Sequence, residues 1–478
     1  MIASNENLPQ GSGFRAEAVV PASRAGAGPS RTLSARVRLA VNVSMAILLT
    51  SLVVDGFPPG IAILREFGSR LTNFLLILCG VVLLVYGRMR ARLPSVSRRD
   101  SFLWIIVLVI VPFTNIPIAV LQAGAGAQLV LVDWLKQYLM FIWGLLSFFI
   151  WRGTLSGFDA RRYCALASAT SLVPVVLFYL EYIDPSTTVT SVLDVFRVKL
   201  DPRPSSLATE PAIYAAWISV IWPLVLYSAR NAIRPLRRVA AACVLATMIG
   251  SAYLSNARTF SVIMVLQVIY VGYWAIQRRQ SWRSRVRSFL IILCMTGVVI
   301  VVLLSSLLSL VRVSENASDV ARFAYTITGI NVFLAHPLVG VGIGQFSNFF
   351  GKFVPQFGVL SSEVMDHVNG VALYRASTFN LFVRLFVEFG VPFGLILSLI
   401  IVRPIIRAPK SPIADPFIIY AALSAVGGVG FWLSQDAYGY QPGILSLAVL
   451  ALVLQGRMQT ASESPASRPG EQADGDSS

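Results

Sequence analysis

Charge is scarce in this chain. Only 13% of its 478 residues are Asp, Glu, Lys or Arg, against 56% hydrophobic residues. A soluble protein of this length needs far more charge to cover its surface, so a soluble fold is excluded. Histidine is almost absent, with only His336 and His367 present. Cysteine is nearly as rare: Cys79, Cys164, Cys243 and Cys294 each sit inside an apolar block. None can staple an exterior loop and no pair has metal-ligand spacing, so no metal site is expected. They read as small core residues. Acidic residues number 23 against 39 Lys and Arg, a net charge of +16. In a soluble chain that excess would point to nucleic acid. Here the arginines cluster between apolar blocks, where they set topology, and no nucleic-acid partner is expected.

The apolar residues come in long runs. Residues 289–311 (FLIILCMTGVVIVVLLSSLLSLV) carry no charge, and about 20 such residues cross the hydrocarbon core. The fold class that follows is all-α, a polytopic membrane protein. About 12 spans are expected, at 37–54, 71–87, 102–121, 129–151, 163–182, 210–227, 237–254, 259–276, 288–311, 379–402, 415–433 and 441–455. They form one transmembrane domain over 37–455. The tail 1–36, rich in Gly, Pro, Ala and Ser, cannot bury a core and is expected to be disordered. A cleaved signal peptide fits it poorly, because the first apolar run starts late and is long enough to span. A second polar tail covers 456–478.

Lys and Arg in the connections set orientation. One alternating set holds Arg88–Arg99, Arg152–Arg162, Arg230–Arg238, Arg278–Arg287 and Arg403–Lys410, while loop 122–128 has no basic residue. Both termini are therefore expected in the cytoplasm, with loops 183–209 and 312–378 facing outward. Long loops on a rigid scaffold usually carry function.

The stretch AHPLVGVGIGQF (335–346) lies in the second of these loops. Gly340, Gly342 and Gly344 alternate with apolar residues. The spacing is neither a dinucleotide fingerprint nor a P-loop. Two explanations stand: a turn packed closely on a helix, or a backbone surface that admits a bulky ligand. An enzyme facing outward, away from nucleotide, needs a substrate already activated, such as a glycan on a lipid diphosphate. As its glycosidic bond breaks, charge builds on the diphosphate, and arginine grips phosphate bidentately. Outward arginines are few: Arg258 in YLSNARTF, Arg322, Arg375 and Arg203. Each could instead be an interfacial residue that snorkels. Arg384 and Glu388 are four apart on one helix face, as an internal pair would be. Asp133 and Lys136, three apart, could pair likewise, or Lys136 could reach a phosphate.

Arg322, then HPLVGVGIGQF from His336, then N-x3-R-x3-E-x-G-x-P from Asn380, resembles the O-antigen ligase/polymerase superfamily over about Arg322 to Leu395. LSNARTF (254–260) is similar to that family's short segment with serine and arginine at the outer end of an earlier span. The resemblance implies a helical glycosyltransferase fold of the C type and a donor glycan on a polyprenyl diphosphate in the bacterial inner membrane. It also implies inverting transfer without metal or other cofactor. Arg258 and Arg322 then correspond to the arginines that hold the diphosphate and act in catalysis. His336, Gly340, Gly342, Gly344, Arg375, Asn380, Arg384 and Glu388 fall on the substrate side. A chain-length regulator and a flippase are implied partners. One departure stands out. The ligase branch usually carries His before Asn, then nine residues and Gly. Here Phe379 precedes Asn380, and Gly390 follows in register. Phenylalanine cannot accept a proton, so His367, near Glu363 and Asp366, becomes the replacement base to consider. The departure favours a polymerase of O-antigen or exopolysaccharide over a ligase. A flippase or transporter is the alternative from another class, though no paired halves are evident.

Overall fold

The computed structural model describes residues 35–54, 71–85, 116, 127–156, 158–185, 193–194, 203–278, 286, 317–371, 376–413, 415–456 and 458. Its regular elements are helical. We number them α1 (Ala35–Ser51), α2 (Leu71–Val85), α3 (Ala127–Leu155), α4 (Ala160–Ile183), α5 (Pro211–Asn231), α6 (Pro235–Leu254), α7 (Arg258–Arg278), α8 (Ala317–Ala335), α9 (Phe346–Phe353), α10 (Ser362–Val368), α11 (Leu381–Arg407), α12 (Phe417–Trp432) and α13 (Gln441–Leu454). Six helices among the described residues, α3 to α7 and α11, are long and apolar enough to cross a membrane. The expected spans at α1, α2, α12 and α13 coincide with shorter apolar helices. Spans 102–121 and 288–311 fall outside the described residues, apart from residue 116, as do nearly all of both tails and Arg375.

α5 is the hub. Pro211 opens it, where a missing N–H costs nothing, and most of its residues are buried. It packs on α4, α6, α7, α12 and α13. Contact with α12 is tight because Gly427 lies against the backbone carbonyl of Ser219. Small residues let helix backbones approach where no hydrophobic drive separates helix from lipid. Gln267 of α7 ties the layer together. Its Nε2 donates to the carbonyls of Ser219 and Leu423 at 2.8 Å each, and its Oε1 accepts from Trp222 Nε1 at 2.9 Å. A polar group in an apolar bundle is stable only when paired in this way.

The contacts sort the connections into two ends. At one, Arg152 reaches Gln455, Arg230 reaches the Tyr420 hydroxyl and Arg278 reaches the Ser411 carbonyl. These are the connections rich in arginine. At the other, Arg203 meets Asn256 and Arg322 meets Glu210. The expected loop 312–378 is not structureless. It carries α8, α9, a 3-10 turn at Gln356–Leu360 and α10, which pack on one another around Tyr325, Phe346 and Phe350.

Candidate functional site

α8 buries Ala321, Ala324, Tyr325, Thr328 and Val332, a stripe at helical spacing. Arg322, just off that stripe, remains partly exposed. Its guanidinium lies 3.8 Å from Glu210 Oε2, with the two side chains 35% and 31% exposed. It also lies 5.7 Å from the centre of the Phe379 ring. An ion pair this open and this long contributes about 0–1 kcal/mol. A phosphate offering two oxygens would displace it.

Glu210 ends a short strap, residues 203–210, that leads into α5. The buried carboxylate of Glu181 holds the strap, accepting from the backbone N–H of Ser205 at 3.0 Å and of Ser206 at 2.9 Å. Ser206 takes a positive φ of 57° and donates its hydroxyl to the Pro174 carbonyl at 2.6 Å. At the strap's other end Arg203 donates to the carbonyl of Asn256 at 3.3 Å. Asn256, itself at φ 53°, turns the chain from α6 into α7, whose first residue is the exposed Arg258. One strap therefore links the turn that carries Arg258 to the helix that carries Arg322. The sequence pointed to the arginines but not to Glu181 or Glu210, because nothing local marks a carboxylate as the partner of a distant backbone.

Arg384 and Glu388 form the internal pair their spacing predicts, 2.9 Å apart. Arg384 also donates to Gln137 Oε1 at 2.8 Å and to the Asp436 carbonyl at 3.0 Å. Its guanidinium stacks 4.2 Å from the Tyr438 ring, while the Tyr438 hydroxyl donates to the second oxygen of Glu388. Residues 436–440 run as non-helical backbone beside α3, where the surrounding protein takes up the carbonyls of Asp436 and Ala437. Asp436 accepts from the backbone N–H of Thr378 at 2.9 Å and so fixes the approach to Phe379. Asn380 caps α11, its Oδ1 accepting from the N–H groups of Phe382 and Val383. Arg384, Glu388 and Asn380 thus have their polar groups engaged within the fold.

The glycines are answered by α11. That helix breaks at Gly390, which has φ 67° and is followed by Pro392. The break frees the carbonyls of Val387 and Glu388 and the N–H of Val391. The loop takes up each of them: Val341 N–H donates to Val387 O at 2.8 Å, Gly342 N–H to Glu388 O at 3.1 Å, and Val391 N–H donates to Pro337 O at 2.8 Å. Gly340, Gly342 and Gly344 have φ of 70°, 92° and 71°. A Cβ on Gly340 would lie 2.5 Å from the Val387 carbonyl oxygen. What comes close to this backbone is another backbone, and of the two explanations for the glycines the packed turn is the one observed.

His336 follows the last residue of α8 and sets its ring edge-on to Phe349. His367 Nδ1 lies 2.7 Å from the Tyr325 hydroxyl and 3.1 Å from the Glu363 carbonyl. Tyr325 in turn packs against Phe379. Phe379 itself sits at φ 51°, a conformation a bulky residue adopts only when its surroundings impose it. The position where the sequence departs from the ligase pattern is therefore a strained residue lying between Arg322 and Tyr325.

Residues 241–399 match the sequence model of the family described as O-antigen ligase. The match covers about a third of the chain, and that third is similar to this family. That segment contains Arg258, Arg322, the glycine loop, Phe379 and the break in α11 at Gly390. Glu210 and its strap lie before it. No curated protein matches the chain.

Proposed function

We propose that the protein is a polysaccharide polymerase. It moves a growing glycan from a polyprenyl diphosphate onto a lipid-linked repeat unit at the outer face of the inner membrane, for O-antigen or exopolysaccharide. The open ion pair of Arg322 with Glu210, beside Phe379 and within reach of the family's segment, carries this reading. Arg322 and Arg258 grip the donor's diphosphate from two elements joined by the 203–210 strap. The acceptor hydroxyl attacks the anomeric carbon from the face opposite the diphosphate. The C–O bond to phosphate breaks with inversion, and the carrier leaves with its charge held by guanidinium groups. Glu210, released from Arg322 by the incoming phosphate, is a carboxylate placed to take the acceptor's proton. His367 is not assigned that step, because its Nδ1 is engaged by Tyr325 and Glu363 and its Nε2 is buried, out of reach of an acceptor hydroxyl. No metal takes part. Twelve spans with both termini in the cytoplasm put this end of the bundle outside.

The ligase alternative differs in its acceptor, and the sequence departs from the ligase pattern at Phe379. Purified protein given lipid-linked repeat units alone separates the readings. A polymerase yields a ladder of longer lipid-linked glycans. A ligase yields product only when a distinct acceptor is added, and a flippase yields no new bond with or without one.

A further inference from the structure

The arginine-rich end of the bundle, opposite the end with Arg322 and Glu210, holds a cavity. α4 and α6 meet closely at the other end. There the Tyr179 hydroxyl donates to the Thr247 carbonyl at 3.1 Å and presses on Gly250. Towards the basic end the two helices part, with α5 as the floor. The groove left between them has a volume of about 400 Å³. Arg161 and Ser168 of α4, Asn231 of α5 and Arg237 of α6 line it together with apolar residues that include the exposed Leu172 and the buried Val244.

The surroundings are those of a membrane surface. α6 is largely turned away from the bundle, with 28% of its span buried. Around its first turn, Ile233 and Leu236 are 84% and 80% exposed, interleaved with Arg234, Arg237 and Arg238. Apolar side chains alternating with arginine suit the boundary between headgroups and acyl chains. Acidic groups are present too: Asp159 and Asp415 act on the Tyr227 phenol at the groove floor. The arginines of the two connections, 161–162 and 230–238, outnumber them.

We propose that this groove binds one anionic phospholipid. Its phosphate sits between Arg161 and Arg237, and one acyl chain follows Leu172 and Val244. A free phosphate ion would use the arginines and leave the apolar residues uncovered, whereas a lipid fits both. The site is independent of glycan transfer, so its test reads lipid retention rather than activity.

Native mass spectrometry of the full chain in detergent, with phosphatidylglycerol or phosphatidylethanolamine added, provides that test. Wild type retains phosphatidylglycerol as a single preferred adduct. Replacing both arginines (Arg161→Gln with Arg237→Gln) weakens retention about thirty-fold, since each arginine near an anionic lipid is worth about a factor of five. Ala169→Trp, which fills the groove and keeps both arginines, also removes the adduct and covers the case in which the double variant does not fold. Arg403→Gln, at the same end but outside the groove, retains it. Equal retention of the two lipids by wild type would overturn the proposal. So would loss of the adduct in Arg403→Gln, or its full displacement by millimolar inorganic phosphate.

Discussion

Gly340→Ala separates a glycine loop built for the fold from one built for a ligand. Gly340 sits at φ 70°, and an added Cβ would lie 2.5 Å from the Val387 carbonyl oxygen and 2.7 Å from that of Glu388. The left-handed conformation alone costs a non-glycine residue roughly 1–2 kcal/mol. The collision adds to this. The obstacles are backbone atoms of α11, so the loop must lift, and lifting breaks the bonds from Val341 and Gly342 to Val387 and Glu388. At about 1 kcal/mol each, those bonds bring the total to about 3–4 kcal/mol. Two other glycines calibrate the scale. Gly370 has φ 72° but open space beside it, so Gly370→Ala should cost only the conformational part, roughly 1–2 kcal/mol. Gly351 lies inside α9 with nothing within 4 Å, so Gly351→Ala should stabilise by up to about 1 kcal/mol. Thermal unfolding in detergent, scored by loss of monodisperse protein, should rank the variants Gly351→Ala, wild type, Gly370→Ala and Gly340→Ala from most to least stable. A Gly340→Ala protein with wild-type melting and no polymerisation would refute the packing argument and return the loop to the ligand.

Arg258→Ala and Arg322→Ala should each abolish ladder formation while the protein still accumulates in membranes, and Arg→Lys at either site should rescue poorly because the forked contact is lost. A wild-type ladder from either Ala variant would remove that residue from the site. Glu210→Gln should lower turnover at least ten-fold in a single-turnover assay with little change in melting, since the pair it breaks is open and weak; an unchanged rate would leave Glu210 without a part in the chemistry. Glu388→Ala should behave in the opposite way, destabilising by about 3 kcal/mol because the buried guanidinium of Arg384 loses its nearest carboxylate and keeps only Asp436 at 3.9 Å, and its accumulation at wild-type levels would contradict the network described. Asn380→Ala removes a helix cap and should cost about 1 kcal/mol in melting measurements, with glycan transfer retained.

Much of this fold was legible because lipid imposes a simple rule: long uncharged runs become helices. Among the described residues, Arg152, Arg230 and Arg278 of the arginine-rich connections each bond a residue near another helix end. The pairing of Arg384 with Glu388 followed from helical spacing. The glycine loop was legible in part. Its need for close approach could be read from the residue types, but the identity of what approaches could not. That depends on the break at Gly390 and Pro392, about fifty residues away, and on which backbone groups the break leaves unpaired. The strap 203–210 had no local signature, since its hold on Glu181 is made by backbone N–H groups that every residue possesses. α8 to α10 were hidden inside a segment whose mixed polarity reads as a loop until its aromatic residues find one another.

The central claim is that Arg258 and Arg322 together hold the donor's diphosphate. Binding of a labelled polyprenyl diphosphate to purified protein, measured beside the matching monophosphate, tests it most directly. The account predicts that wild type prefers the diphosphate, and that Arg258→Ala and Arg322→Ala each lose at least ten-fold in affinity for it, about 1.4 kcal/mol. Wild-type affinity in both variants, or no preference between diphosphate and monophosphate, would contradict it.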